Sequence, residues 1–117
     1  IPCMVTKGVK LAICFGVMGG FMQPQGHTQV LSNMVDYGMT PQEALDAPRF
    51  RFVQGNEFFI EPSFPLNPYE ALTARGHVLY VDADGGFGGG QVIRVDPESG
   101  ALMAGSEPRN DGCAVAF

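Results

Sequence analysis

The chain has 117 residues, 45% of them apolar and 16% charged, which fits one folded domain with a single core and excludes a disordered chain. A net charge of -5, with only seven scattered Lys and Arg residues, leaves no basic stripe to neutralise phosphates and excludes nucleic acid as a partner. No apolar run reaches the length of a membrane span, so no membrane partner is expected, and the 16 glycines and nine prolines predict short elements joined by tight turns.

Residues 9–15 (Val-Lys-Leu-Ala-Ile-Cys-Phe) read as a mostly buried strand. The strand leads into Met18-Gly19-Gly20 and then into an amphipathic helix predicted over 27–37, with Val30, Leu31, Met34 and Val35 on one face and Gly38 as its stop. Thr40-Pro41-Gln42-Glu43 combines a capping threonine, a first-turn proline and an acid three residues on. That is a capping box, and its helix must end before Pro48. Arg49 to Phe52 and Glu57 to Glu61 alternate around Gly55-Asn56 and predict a β-hairpin with one apolar face. Asn67-Pro68-Tyr69-Glu70 predicts a second proline-started helix, capped by Asn67 and closed at Gly76. Strands are expected at 77–81, 91–96, 101–105 and 113–117, with Pro97 to Gly100 turning between the second and third of these. The order gives an α+β fold, not a repeating βαβ wind. Three short helices cannot cover so much sheet, so another segment or chain is expected to complete the layers.

Adjacent glycines at a strand-to-helix junction can present consecutive N–H groups, because no Cβ blocks approach. Gly19 and Gly20 are therefore an oxyanion or carboxylate site candidate, although a Gly-Gly pair on its own reads first as a turn. Gly85 to Gly90 precedes a strand rather than a helix and lacks a Walker lysine, so it reads as a flexible turn or bulge instead of a phosphate loop. Asp82-Ala83-Asp84-Gly85 opens like a calcium loop without the later ligands and reads as a turn. His27 and His77 are the only histidines, and neither has metal-ligand spacing. His27, at the helix entrance, reads as a hydrogen-bonded structural histidine ahead of a catalytic base. Arg109 and Asp111 are explained by local bonding to their turn. Cys3, Cys14 and Cys113 cannot all pair. They are expected as buried free thiols, one disulfide being the alternative, which favours the cytoplasm over a periplasmic or secreted setting. Beginning at Ile1-Pro2 without a signal-peptide pattern, the chain reads as a piece of a longer protein.

Met18-Gly19-Gly20 with Gln23-Pro24-Gln25-Gly26-His27, the run Asp36 to Arg49, Arg75-Gly76-His77, Gly86 to Gln91 and Gly105 to Gly112 together resemble the γ-glutamyltransferase family of N-terminal-nucleophile hydrolases. The Gln-Pro-Gln-Gly-His run is similar to the γ-glutamyltransferase-like branch. The resemblance implies an αββα sandwich in which residues 1–117 form the C-terminal part of the small subunit. It implies cleavage of γ-glutamyl amides by hydrolysis or transfer, with no cofactor and no metal. The nucleophilic threonine would lie before Ile1, so Thr6, Thr28, Thr40 and Thr73 are not nominated. Gly19 and Gly20 match the family's oxyanion-hole glycines, with Gln23 and His27 as neighbours. The partners implied are a γ-glutamyl small molecule or peptide and the remaining large- and small-subunit segments, or a self-associated copy. The alternatives are a cephalosporin- or glutaryl-acylase-like amidase on the same scaffold and a non-catalytic association module.

Overall fold

The elements in chain order are β1 (Pro2–Lys7), β2 (Lys10–Met18), a 3₁₀ turn (Gly20–Met22), α1 (Gln23–Val35), α2 (Pro41–Asp46), β3 (Phe50–Gln54), β4 (Glu57–Ile60), α3 (Leu66–Ala74), β5 (Val78–Val81), β6 (Gly89–Val95) and β7 (Leu102–Ser106). They come from a computed structural model that describes residues 1–116. The chain divides into two units, Ile1–Ala47 with the segment from Gly88 onward, and Pro48–Phe87. Taken over its two sheets the fold is α+β, with four of the five strand pairs among the described residues antiparallel. Among the described residues, no helix is long and apolar enough to cross a membrane.

The first unit holds an antiparallel sheet in the order β1-β2-β6-β7. Strand β1 was not expected. Its signal is the alternation of Cys3 and Val5, which pack against the core, with exposed Met4 and Thr6, followed by a left-handed Gly8 at φ 64°. The register aligns Phe15 with Val92 and Val92 with Gly105, which puts one face of the sheet under α1 and α2. Ile13, Phe15, Val17, Val30, Met34, Leu45 and Val92 form the buried core there. The opposite face carries the aligned row Met4, Cys14, Ile93 and Ala104, with Met4 72% and Ile93 43% exposed.

Helix α1 begins one turn before the expected start. Pro24 falls in its first turn, where a missing N–H leaves no bond unmade. Its buried stripe is Gly26, Val30 and Met34, whereas Val35 is 61% exposed, because five helical residues from Val30 rotate the side chain away from the sheet. Gly38, at φ 68°, turns the chain and Met39 N donates to Asn33 O at 3.0 Å. In α2 the expected capping box is complete, with Glu43 N donating to Thr40 Oγ1 and Thr40 N to Glu43 Oε2. Both helices cover the same sheet face and touch each other, as their apolar stripes require.

In the second unit β3 and β4 form the expected hairpin, and β5 joins β4 in parallel after the α3 crossover. That single βαβ connection is not repeated, so the expected α+β fold with mainly antiparallel strands stands. Helix α3 starts at Leu66, so Asn67 lies inside its first turn and makes no cap. Pro68 has no N–H and is tolerated there, which let the helix begin earlier than the Asn-Pro pattern suggested. Its end is as expected: Gly76 N donates to Thr73 O and His77 N to Leu72 O around a left-handed Gly76. Residues 113–116 form no strand. The chain there leaves the last ladder at Ser106 and passes Gly112, so no neighbour is paired with it; the last residue of the expected strand lies outside the described residues. Cys3 and Cys14 are half-buried and Cys113 is exposed, all as free thiols, which corrects the expectation of burial for Cys113.

Candidate functional site

The end of β2 sets the site. Val17 pairs with Gly90 and Met18 with Gly89, and the chain then leaves the ladder at Gly19 (φ 131°) and Gly20 (φ 58°) before the 3₁₀ turn. Met22 N donates to Gly19 O at 3.0 Å, which closes that turn. The amide groups of residues opening a helical turn precede the point where internal bonding begins, so this junction is where N–H groups are left without a helical partner. Gly19 and Gly20 are exposed, and so are their flanking residues, Met18 at 60% and Phe21 at 99%.

The two glycines share a positive φ, and Gly19 carries a second constraint. A Cβ on Gly19 would lie 2.9 Å from the Cα of Gly88, a distance that real side chains do not tolerate. A Cβ on Gly20 would meet nothing within 4 Å, so its need is the left-handed backbone, and the space in front of it is open. Gly88 (φ 77°) has a matching constraint, since its own Cβ would lie 2.6 Å from Met18 O. The run expected to be one flexible turn is thus two things. Gly85 and Gly86 have left-handed angles suited to a turn, while Gly89 and Gly90 are buried in β6 and Gly88 backs Gly19. Sequence reading missed this because a glycine repeat does not say which of its members touches another strand.

His27 and Gln23 face β1 rather than open space. His27 Nδ1 lies 2.7 Å from Gln23 O and Nε2 2.8 Å from Ile1 O, and its ring sits 5.0 Å from that of Phe15. Gln23 Oε1 lies 3.4 Å from the Ile1 nitrogen. Each of these polar contacts is to the backbone, so the two side chains tie the start of α1 to the start of β1. Asp82 Oδ1 accepts from Asp84 N at 2.9 Å, an Asx turn as expected, and Arg51 pairs with Asp82 Oδ2 at 3.3 Å.

Two residues beside the glycine strand were not singled out for function. Glu107 is 1% exposed; its Oε2 accepts from Gly90 N and its Oε1 from Arg109 Nη1, each at 2.6 Å. Arg109 also donates to Leu45 O at 2.8 Å and Ala47 O at 3.1 Å. Its reach is therefore to the end of α2, not only to its own turn, which corrects the local reading. An acid and a base two residues apart in a proline turn were the available signal, but nothing in that spacing pointed across the sequence to Leu45.

Comparison with known proteins adds the family. The gamma-glutamyltranspeptidase family model matches residues 1–117. The chain belongs to the gamma-glutamyltranspeptidase family. It is 39% identical over its whole length to the glutathione hydrolase-like YwrD proenzyme of Bacillus subtilis and 33% identical over 99% of it to the acylase ACY 1 proenzyme of a Pseudomonas strain. It spans 23% and 20% of the length of these curated relatives. Among solved structures, the cephalosporin acylase from Bacillus halodurans matches 99% of this chain at 50% identity and a TM-score of 0.94, over 22% of that chain. The gamma-glutamyltranspeptidase fold is thus shared, and the chain is one part of an αββα sandwich of N-terminal-nucleophile type.

Proposed function

We propose that the full-length protein is an N-terminal-nucleophile hydrolase cleaving a side-chain amide, and that this chain, as the C-terminal part of the small subunit, supplies its oxyanion donors. When a nucleophile adds to an amide carbonyl, the oxygen gains negative charge, and fixed N–H groups at that point lower the barrier. The observation that carries the reading is the exposed Gly19-Gly20 junction between β2 and the 3₁₀ turn, with nothing within 4 Å of a Cβ placed on Gly20. The nucleophile is a threonine at a processed N-terminus upstream of this chain, with its own α-amino group as base. The partly exposed row Met4, Cys14, Ile93 and Ala104 fits a sheet that takes its second layer from the remaining subunit segments.

The acyl group is of the cephalosporin-acylase type, a glutaryl-like side chain, and the 50% identity to the Bacillus halodurans acylase supports this. The second reading is a γ-glutamyl amide, supported by the family model and by the likeness to a glutathione hydrolase-like proenzyme. The two acyl groups differ by one α-ammonium, so glutaryl- and γ-glutamyl-p-nitroanilide separate them directly. A higher kcat/KM of the full-length protein on the glutaryl amide is expected, and the reverse order favours the second reading. Gly20→Val should lower kcat about 10²–10³-fold on whichever amide is preferred. Near-normal kcat in that variant overturns the donor assignment. The separately prepared 117-residue chain is expected to be inactive; turnover abolished by changing one of its own threonines would overturn the upstream nucleophile.

A further inference from the structure

We infer that Glu107 and Arg109 are positioning residues for the Gly19-Gly20 donors, acting through the glycine strand behind them; the inference rests on the oxyanion reading above. The register supplies the first step. The β6–β7 ladder ends at Gln91 with Ser106, so the next rung would pair Gly90 with Glu107. At that rung the Glu107 side chain takes the place of a backbone acceptor, receiving Gly90 N–H at 2.6 Å. The carboxylate extends the sheet by one bond where the strand itself has turned away. A carboxylate accepting a backbone N–H makes a shorter and stronger bond than a neutral carbonyl does.

Arg109 fixes that carboxylate from the other side. Its guanidinium bridges Glu107 Oε1, Leu45 O in the last turn of α2 and the carbonyl of Ala47 just after it. A cation there also suits the negative end of the helix. Leu45 closes the arrangement, since a Cβ on Gly90 would lie 2.6 Å from its Cδ2. Gly90 is thus held between a packed leucine and a charged acceptor, and Gly88 follows two residues before it. Gly88 Cα occupies the place that a side chain on Gly19 would need, and Met18 O lies against Gly88 in turn. The backbone that aims the donors therefore rests on the backbone that Glu107 and Arg109 clamp.

A displacement well under the length of a bond is enough to matter at such a site, because oxyanion donors act through fixed geometry. The test is steady-state kinetics of the full-length protein carrying Glu107→Gln and, separately, Arg109→Lys, with thermal melts beside them. Glutamine keeps the reach to Gly90 without the charge, and lysine keeps a cation beside Glu107 without the bridge to all three oxygens, so both should remain folded while Glu107→Ala need not. Each is expected to lower kcat by about 10–10²-fold with KM within about twofold, since 1 Å misplacements have effects of that size. Combining Glu107→Gln with Gly20→Val should give a loss well short of the product of the two, because both act on one donor pair. Unchanged kcat in Glu107→Gln and Arg109→Lys, with Gly20→Val impaired, overturns the positioning role and leaves the donor reading standing. A fully multiplicative double variant also overturns it. Normal kcat in Gly20→Val alone removes the donor reading itself.

Discussion

Helices reach their sheets in different ways in the two units. Where α2 lies on β7, Gly105 lets the backbone come so near that a Cβ there would lie 2.7 Å from the carbonyl carbon of Pro41. Gly26 of α1 does the same against Val17, with 2.7 Å to Cγ1. The side chains between these contacts, Val30 and Leu45 at 0% exposure among them, are fully enclosed. In the Pro48–Phe87 unit α3 has no such glycine and no buried residue of its own. Phe50, Phe58, Ile60, Phe64, Leu72, His77 and Leu79 surround a cavity of about 280 Å³ there. His77 Nδ1 is buried with no hydrogen-bond partner among the described residues. The lesson is that glycine at the crossing, more than apolar content, decides whether a thin α/β layer closes. Both units are rich in large apolar residues, but only one lets its backbones meet.

The largest effect should come from removing a residue in the closed layer. Leu45→Ala is expected to destabilise the protein by about 2–5 kcal/mol, because the tight frame around it cannot collapse, while Leu72→Ala should fall clearly below that. Equal values from denaturant titration would break the comparison. Gly105→Ala should destabilise by about 1–3 kcal/mol, since the contact atoms are backbone and cannot rotate aside. A neutral result would show that α2 shifts freely on its sheet. Thr40→Ala should remove about 1 kcal/mol through the lost N-cap.

Thr40 also predicts a pH effect. Bonds from the backbone and hydroxyl of Thr40 hold the Glu43 carboxyl below its ordinary value of 4.5. A lowered folded-state value stabilises above 4.5 and is lost as pH falls through that lowered value, so the acid limb of a stability curve should be shallower in Thr40→Ala than in the parent. Parallel acid limbs would count against the capping box. The smallest change expected is a gain. Leu72→Phe adds volume beside the cavity and should raise stability by about 0.5–1 kcal/mol in a melt, where the same kind of enlargement at Val30 should lower it.

Local chemistry made much of this fold legible. The Thr40-Pro41-Gln42-Glu43 box, the Gly55-Asn56 hairpin and the Gly76 stop each depend on residues a few positions apart, and each stands where the sequence put it. Elements whose definition lies across the sequence were not readable in the same way. Strand β1 is fixed by its pairing with β2, while Asn67 was outcompeted as a cap because the proline after it suits the interior of a first turn equally well. At the candidate site, Gly19 and Gly20 could be singled out from a strand meeting a helix. Gly88 behind them, and Glu107 with Arg109 behind Gly90, could not, because the chain is far apart in sequence at those contacts and a glycine or a carboxylate carries no address.

The pairing of β2 with β6 has a kinetic consequence. Between Val17 and its partner Gly90 lie both helices of the first unit and the whole of the second. Closing that span as loose chain is entropically slow, whereas the β3–β4–α3–β5 segment closes through local contacts. We predict that the Pro48–Phe87 unit folds first and shortens the loop, so that the first sheet zips only afterwards. Pulse-labelling by hydrogen exchange during refolding should protect the amides of Phe58 and Leu79 before those of Phe15 and Val92. Earlier protection of Phe15 and Val92 would reverse that order.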